Sequence, residues 1–579
     1  MTDSEVKKKA RRGPTLSIVA ALYLLFAIAS SWPLATQLGD ALPQGTDRAA
    51  TVPLFHAWSL WWTADRMADG LTGFWTAPIF TPTPDSFLFS DPLILLGMLA
   101  APLLWMGASP VLAHNLLLLL AVTGNGLFTF GLLRCLDIRR GPAALGGLML
   151  LMLPYVHHEL GVLMLVPLGG LLGFMWALIQ FAKTPGPVPA LLMGAAAAAT
   201  YLMCGQYGIM LALVIAPASL CLVDRRWLAA RAMGSLAAGG LLCALLIAPL
   251  ILKQIETIDA HGFGRSESAA TKSASHPTAW TLTPWSQLVP APGIEMASEV
   301  WMQAHFPGTL KLLLALTGIV IGLRDPRLRR WTAFLLTATV LASLFSTLPR
   351  LEFGDTSPYR ALRDVIPGLS TMRSFWRFIV VAQIGVVLLA VLSLEFMRAR
   401  SQARTGEKRG IALAIPVLGL LAAVELWPSA QKLAPAPDFE HWQPWTSWVT
   451  ENVPDSGLVH LPFPSSAGVA DFEDTARWML LASAHGRPLA NGYSGFFPRR
   501  YNMLTRALRG CPTPAGYKFV RFLGYDSLAI RRSWLEAHPG CGPPTATWER
   551  VEAFDDLDVE MHRALSMEIE LETRQPPEG

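Results

Sequence analysis

Asp47, in "QGTDRAATVP", stands just before a run that opens at Pro53 and carries Leu54, Phe55, Trp58, Trp61 and Trp62. Pro53 suits a first helical turn, and the spacing of the apolar residues puts them on one stripe of a helix. Tryptophan favours the membrane interface, so the sequence predicts a helix lying there and Asp47 held near headgroup level. At that depth a lipid phosphate and a water-soluble acceptor can both reach a carboxylate. The structural alternative for Asp47 is a turn-forming residue after Gly-Thr. Asp65 and Asp69, at i and i+4, can share a cation or form a solvated helix end, and Asp91 before Pro92 reads as an N-cap.

Three further groups have chemistry-bearing spacing. Arg373 and Arg377, in "TMRSFWRF", are spaced i and i+4 at the start of a late apolar run, so both can point at one anion; snorkelling to the interface is the plain alternative. "LPYVHHELG" sets His157, His158 and Glu159 together, able to orient a polar ligand or bind a metal, or to form a polar loop between spans. Gln206 and Tyr207 fall in a break within "TYLMCGQYGIM", and such breaks line cavities in membrane proteins. Asn491 and Tyr493 lie in "NGYSGF", a tight-turn composition that favours a structural role. No Cys–His zinc spacing, no phosphate-cradling G-x-x-x-x-G-K-[ST] loop and no basic stretch suited to nucleic acid is present.

The elements that position these groups follow from composition. Of the 579 residues 52% are hydrophobic and only 15% charged, which a single soluble core cannot absorb. The chain reads as an α-helical polytopic membrane protein. Cations gather in short breaks between apolar runs: Lys7 to Arg12, Arg134 with Arg139 and Arg140, Lys183, Arg225 with Arg226 and Arg231, Arg324 to Arg330, and 397–410. Each cluster is expected on the cytoplasmic face. About eleven spans satisfy that parity, from 14–36 to 411–427, with the N-terminus inside and everything after the last span outside. The apolar stretch at 92–106 is short for a ~30 Å hydrocarbon layer and is expected as a half-inserted helix packed on the bundle.

Two domains are expected, a transmembrane one over 1–427 and a small extracytoplasmic α/β domain over 428–579. In the latter "SGLVHLPFP" reads as a strand, "DFEDTARWMLLASAH" as a helix and "WERVEAFDDLDVEMHRAL" as two strand-like runs. Cys511 and Cys541 both fall in this domain, where the compartment permits oxidation; a disulfide and two free thiols remain equal alternatives.

The motifs "GTD" at 45–47, "WSLWW" at 58–62, "LPYVHHELG" at 153–161, "PGLSTMRSFWRF" at 367–378 and "NGYSGFFP" at 491–498 together resemble the GT-C class of membrane glycosyltransferases, in particular the bacterial multi-spanning proteins related to the family 39 types. The resemblance covers nearly the whole chain. It implies a catalytic Asp in the first outside loop and a sugar donor carried on polyprenyl phosphate at the outer face of the cytoplasmic membrane. It implies Asp47 as general base; with that chemistry, Arg373 and Arg377 are the candidates for the donor phosphate, and His157, His158 and, from their place in the helix break, Gln206 and Tyr207 are the candidates for substrate contacts. Thr46 separates Gly45 from Asp47 and no second acid adjoins it, so a divalent metal stays an open possibility. The implied partners are the polyprenyl-phosphate-linked sugar and membrane lipid, with no nucleic acid. The competing reading is a non-catalytic component of lipid or polysaccharide export that kept the fold. A transporter places charges inside several spans; here the expected spans are almost free of charge and the acids crowd the expected outer face.

Overall fold

The computed structural model of the protein describes residues 15–45, 48–276, 279, 305–354, 356–366, 368–405 and 409–565. Asp47 lies outside the described residues. The chain divides into two compact units, one of residues 1–36, 116–253 and 263–431, the other of 37–115, 254–262 and 432–579. The unit that holds the C-terminal residues also takes in the first long loop.

Among the described residues, six helices are long and apolar enough to cross a membrane: Pro110–Cys135, Leu163–Lys183, Gly205–Leu222, Ala230–His261, Arg329–Arg350 and Phe375–Ser401. Shorter apolar helices include Leu16–Ser30, Pro187–Met203 and Ala414–Val424. In the first unit the Phe375–Ser401 segment is central, with 89% of its most apolar window buried, against 17% for Ala230–His261. Small residues let backbones touch around it. A Cβ on Gly318 would stand 2.0 Å from the Leu389 carbonyl oxygen; elsewhere in the unit, between the helices Pro187–Met203 and Ala230–His261, one on Gly194 would stand 2.0 Å from that of Gly239. Close approach at glycine is a general means of packing helices where lipid removes the hydrophobic driving force.

Two interruptions in this bundle matter for the site. The helix Arg140–Leu151 stops before Pro154, which opens the short helix Pro154–His158, because proline is tolerated at a first turn and not in an interior. The helix Pro187–Met203 ends at Cys204, whose extended backbone (φ −156°, ψ 112°) restarts the chain as Gly205–Met210. Gln206 and Tyr207 therefore stand in the first turn of a new helix.

The second unit has two sheets. Strands β1 (Ala41–Pro43) and β2 (Leu433–Pro435) pair antiparallel. Strands β3 (Leu458–Leu461), β4 (Ser527–Arg531), β5 (Trp548–Phe554) and β6 (Val559–Ala564) form a second sheet in the order β3-β4-β6-β5, parallel between β3 and β4 and antiparallel elsewhere. The expected strand, helix and strand pair appear as β3, Glu473–His485, and β5 with β6; β4 and the small sheet were not foreseen. Cys511 and Cys541 form a disulfide, with Cα atoms 4.8 Å apart.

The tryptophan stripe does not lie in a membrane interface. The helix Thr51–Ala68 forms, but Trp58 and Trp62 are buried, because it packs between the helices Ile94–Trp105 and Glu473–His485 of the same unit. Its amphipathic face is covered by protein. Its N-terminal end is tied by Glu473, whose carboxylate accepts from Ala50 N–H at 3.0 Å, the charge sign a helix N-terminus prefers. The helix Ile94–Trp105 lies so close to it that a Cβ on Gly97 would come 2.4 Å from Thr63 Cβ. The N-cap position of that helix is Leu93, with no side-chain cap, so Asp91 does not serve as the cap.

Candidate functional site

Three of the residues singled out from sequence, His158, Gln206 and Arg377, meet around the carboxylate of Glu159 in the first unit. Glu159 is buried to 1% exposure. Its Oε2 accepts from Arg377 Nη2 at 3.1 Å and its Oε1 from His158 Nδ1 at 3.2 Å. Arg377 Nη1 donates to Gln206 Oε1 at 3.2 Å. Burial pushes the Glu159 carboxyl up, but Arg377 and His158 outweigh it and hold the group below its ordinary range, so the acid is ionised at neutral pH. An ion pair this deep needs good geometry and further hydrogen bonds to repay desolvation. His158 and Gln206 supply them.

The network rests on an aromatic floor. The Tyr155, His158 and His305 rings lie 5.5, 5.6 and 5.9 Å from that of Trp376. Gln383 joins the layers, its Oε1 accepting from Tyr155 N–H at 3.4 Å and its Nε2 donating to the His305 carbonyl at 3.0 Å. Tyr207 is buried and donates to the Leu165 carbonyl, with its hydroxyl 3.4 Å from that of Tyr155.

His157 and Arg373 are placed differently. His157 turns away from Glu159, and its Nε2 lies 3.2 Å from the Leu151 carbonyl oxygen. There it serves one of the acceptors left open at the end of the helix Arg140–Leu151. Arg373 is exposed. Residues 372–374 are not helical and the Phe375–Phe378 turn starts after them. The i,i+4 helix geometry expected for Arg373 and Arg377 is therefore absent: Arg377 is drawn inward by Glu159, and Arg373 is left at the surface ahead of the helix.

In the second unit, Asp65 and Asp69 both pair with Arg66, at 2.5 and 2.8 Å, an internal cation that takes up both charges. Asn491 has the structural role expected: its Oδ1 accepts from His460 N–H at 2.7 Å and its Nδ2 donates to the His460 carbonyl at 3.0 Å, extending the edge of β3. Among the described residues no cluster of three or more His, Cys, Asp or Glu could hold a metal ion.

Sequence reasoning noticed Glu159 but did not make it the hub, and it missed Trp376, His305 and Gln383. A signal existed: an acid that directly follows two histidines between apolar runs must find a cation if it is buried, and Arg377 heads the most apolar late run.

No protein-family model and no curated protein matches the sequence. Among solved structures, the chain is similar to the arabinofuranosyltransferase AftD from Mycobacteria, with a TM-score of 0.58 and 14% identity over 95% of this chain. The match covers 40% of the AftD chain, so this protein corresponds to less than half of its length. A second similarity is to ArnT from Cupriavidus metallidurans bound to undecaprenyl phosphate, with a TM-score of 0.47 and 11% identity, covering 94% of this chain and 98% of that one. At such identities the AftD likeness speaks to architecture alone, and with the apolar helices and the C-terminal sheet it gives this chain a GT-C-like multi-spanning membrane fold.

Proposed function

We propose that the protein is a membrane glycosyltransferase that moves a sugar from a polyprenyl-phosphate donor to an acceptor at the outer face of the cytoplasmic membrane. The observation that carries the reading is the network of Arg377, Gln206 and His158 around the buried Glu159 carboxylate, on a fold shared with a glycosyltransferase. In the reaction the acceptor oxygen bonds to the anomeric carbon as the bond from that carbon to the phosphate oxygen breaks. The acceptor proton passes to a base, for which Asp47 is the candidate. The electron pair of the broken bond stays on polyprenyl phosphate, where cations stabilise the growing charge.

The two arginines divide that work in this reading. Arg377 is largely committed to Glu159, so it is positioned and partly neutralised, whereas the exposed Arg373 is left to meet the phosphate. His158 and Gln206, anchored to the same network, orient the donor's polar groups, and Tyr207, whose hydroxyl lies 3.4 Å from that of Tyr155, supports the floor. The site, the N-in, tail-out topology of about eleven spans and the inner-membrane location belong to the same proposal.

The test is binding of polyprenyl phosphate to the full-length protein in nanodiscs of neutral lipid. Arg373→Gln should weaken binding at least about tenfold, the scale of a lost charge-assisted contact, while a neutral polyprenol binds both forms alike. Equal affinity of wild type and variant for the phosphate would remove Arg373 from the site.

A further inference from the structure

The first unit contains a second feature that the glycosyltransferase reading does not use. A groove of about 270 Å³ runs between the helices Leu16–Ser30, Arg140–Leu151 and Arg409–Val424. Its walls include Leu22, Phe26, Leu145, Leu148 and Ile415, and Arg398 is the one charged residue among those that line it. The other polar group, the Tyr23 hydroxyl, is spent on the Ala144 carbonyl at 2.7 Å.

Arg398 lies at one end of this groove, against bare backbone. A Cβ on Gly141 would come 2.8 Å from its Nη1. The nearest acid along its helix, Glu395, is taken by Arg139, which approaches it at 3.4 Å through Nε and at 3.1 Å through its backbone N–H. Among the described residues no carboxylate pairs with Arg398, and two further arginines, Arg400 two positions on and Arg140 next to Gly141, are exposed. The groove thus joins an apolar length to an uncompensated cationic end. That is the complement of an amphiphile with a hydrocarbon chain and an anionic head, and it suits neither a neutral lipid nor a soluble anion equally well.

We propose that this groove is a binding site for one anionic phospholipid, with an acyl chain along Leu22, Leu145 and Leu148 and the phosphate on Arg398. The test is native mass spectrometry of the full-length protein purified in detergent and equilibrated with phosphatidylglycerol or with phosphatidylcholine of the same chains. Wild type should retain phosphatidylglycerol preferentially. Arg398→Gln should lower that retention about tenfold, as expected for a lost charge-assisted contact, and leave phosphatidylcholine unchanged. Leu22→Trp, which fills the groove from a position 47% exposed, should lower retention of both lipids. Equal retention of the two lipids by wild type, an unaltered Arg398→Gln variant, or full retention in Leu22→Trp would each overturn the assignment. If Leu22→Trp fails to fold, Arg398→Gln, which loses no protein partner, decides the question alone.

Discussion

At Glu159 the first unit holds an ionised acid in its interior, and the cost of that burial is met by Arg377, His158 and, through the arginine, Gln206. Removing one member of such a pair leaves the other charge unpaired. Because the Arg377 side chain keeps 16% exposure, the loss should fall at the low end of the range for buried pairs, about 3 kcal/mol. Glu159→Gln and Arg377→Met should each lower the thermal midpoint of the detergent-solubilised protein, and the double variant should lose less than the sum. Strict additivity would mean that the contact contributes nothing. His157 shows what sequence adjacency leaves open: it stands beside His158, yet one backbone step turns its ring to a helix end. Adjacent residues in a helical turn do not share a face, so a His-His pair of this kind rarely converges on one ligand.

At the scale of elements, the apolar runs and their charged breaks were legible because lipid imposes length and charge rules directly on sequence. What covers each apolar face was not. The Phe375–Ser401 and Ala230–His261 segments are comparably apolar, yet one is enclosed by protein and the other almost bare; in lipid, hydrophobicity does not distinguish inside from outside. The Thr51–Ala68 helix fails to declare itself for the same reason, since a tryptophan stripe suits a headgroup layer and a protein core alike. Glycines carry the missing information. Gly318→Ala would drive a methyl into the Leu389 carbonyl and separate the helices Thr309–Arg324 and Ile379–Thr405. A loss of about 1–3 kcal/mol is expected, read as a lower unfolding midpoint, while Gly234→Ala, where nothing stands within 4 Å, should cost nothing. In the second unit the Cys511–Cys541 bridge closes a 30-residue separation. Its removal by Cys511→Ser with Cys541→Ser should destabilise that unit by roughly 2–4 kcal/mol, measured by limited proteolysis of the tail.

For the whole molecule, buried histidines set a direction for acid stability. Burial pushes His157 down to about 4, and His305 and His485 down to about 3, from the ordinary value near 6.5. Between those limits the unfolded chain binds protons that the folded chain refuses. Stability is therefore complete above pH ~6.5 and falls as pH drops toward the folded values, by up to about 1.4 kcal/mol per pH unit for each group. Thermal midpoints at fixed scan rate should decline from pH 7 to pH 5; a flat profile would contradict the burial of these rings.

Topology belongs to this scale too. Alkaline phosphatase fused after Gly579 should be active and a cytoplasm-only fluorescent reporter dark. Fluorescence without phosphatase activity would place the tail inside and remove the outer-face reading.

The central claim is sugar transfer, and the most direct measurement is release of polyprenyl phosphate from a panel of labelled polyprenyl-phosphate sugars, by full-length protein in proteoliposomes containing membrane acceptors. Wild type should turn over at least one donor. Asp47→Asn keeps the size of the side chain and its suitability for a turn but removes the basic oxygen, so it should insert normally and lose at least about a hundredfold in rate. No turnover of any donor, or turnover undiminished in Asp47→Asn, would contradict the account, the first by removing the reaction and the second by removing its base.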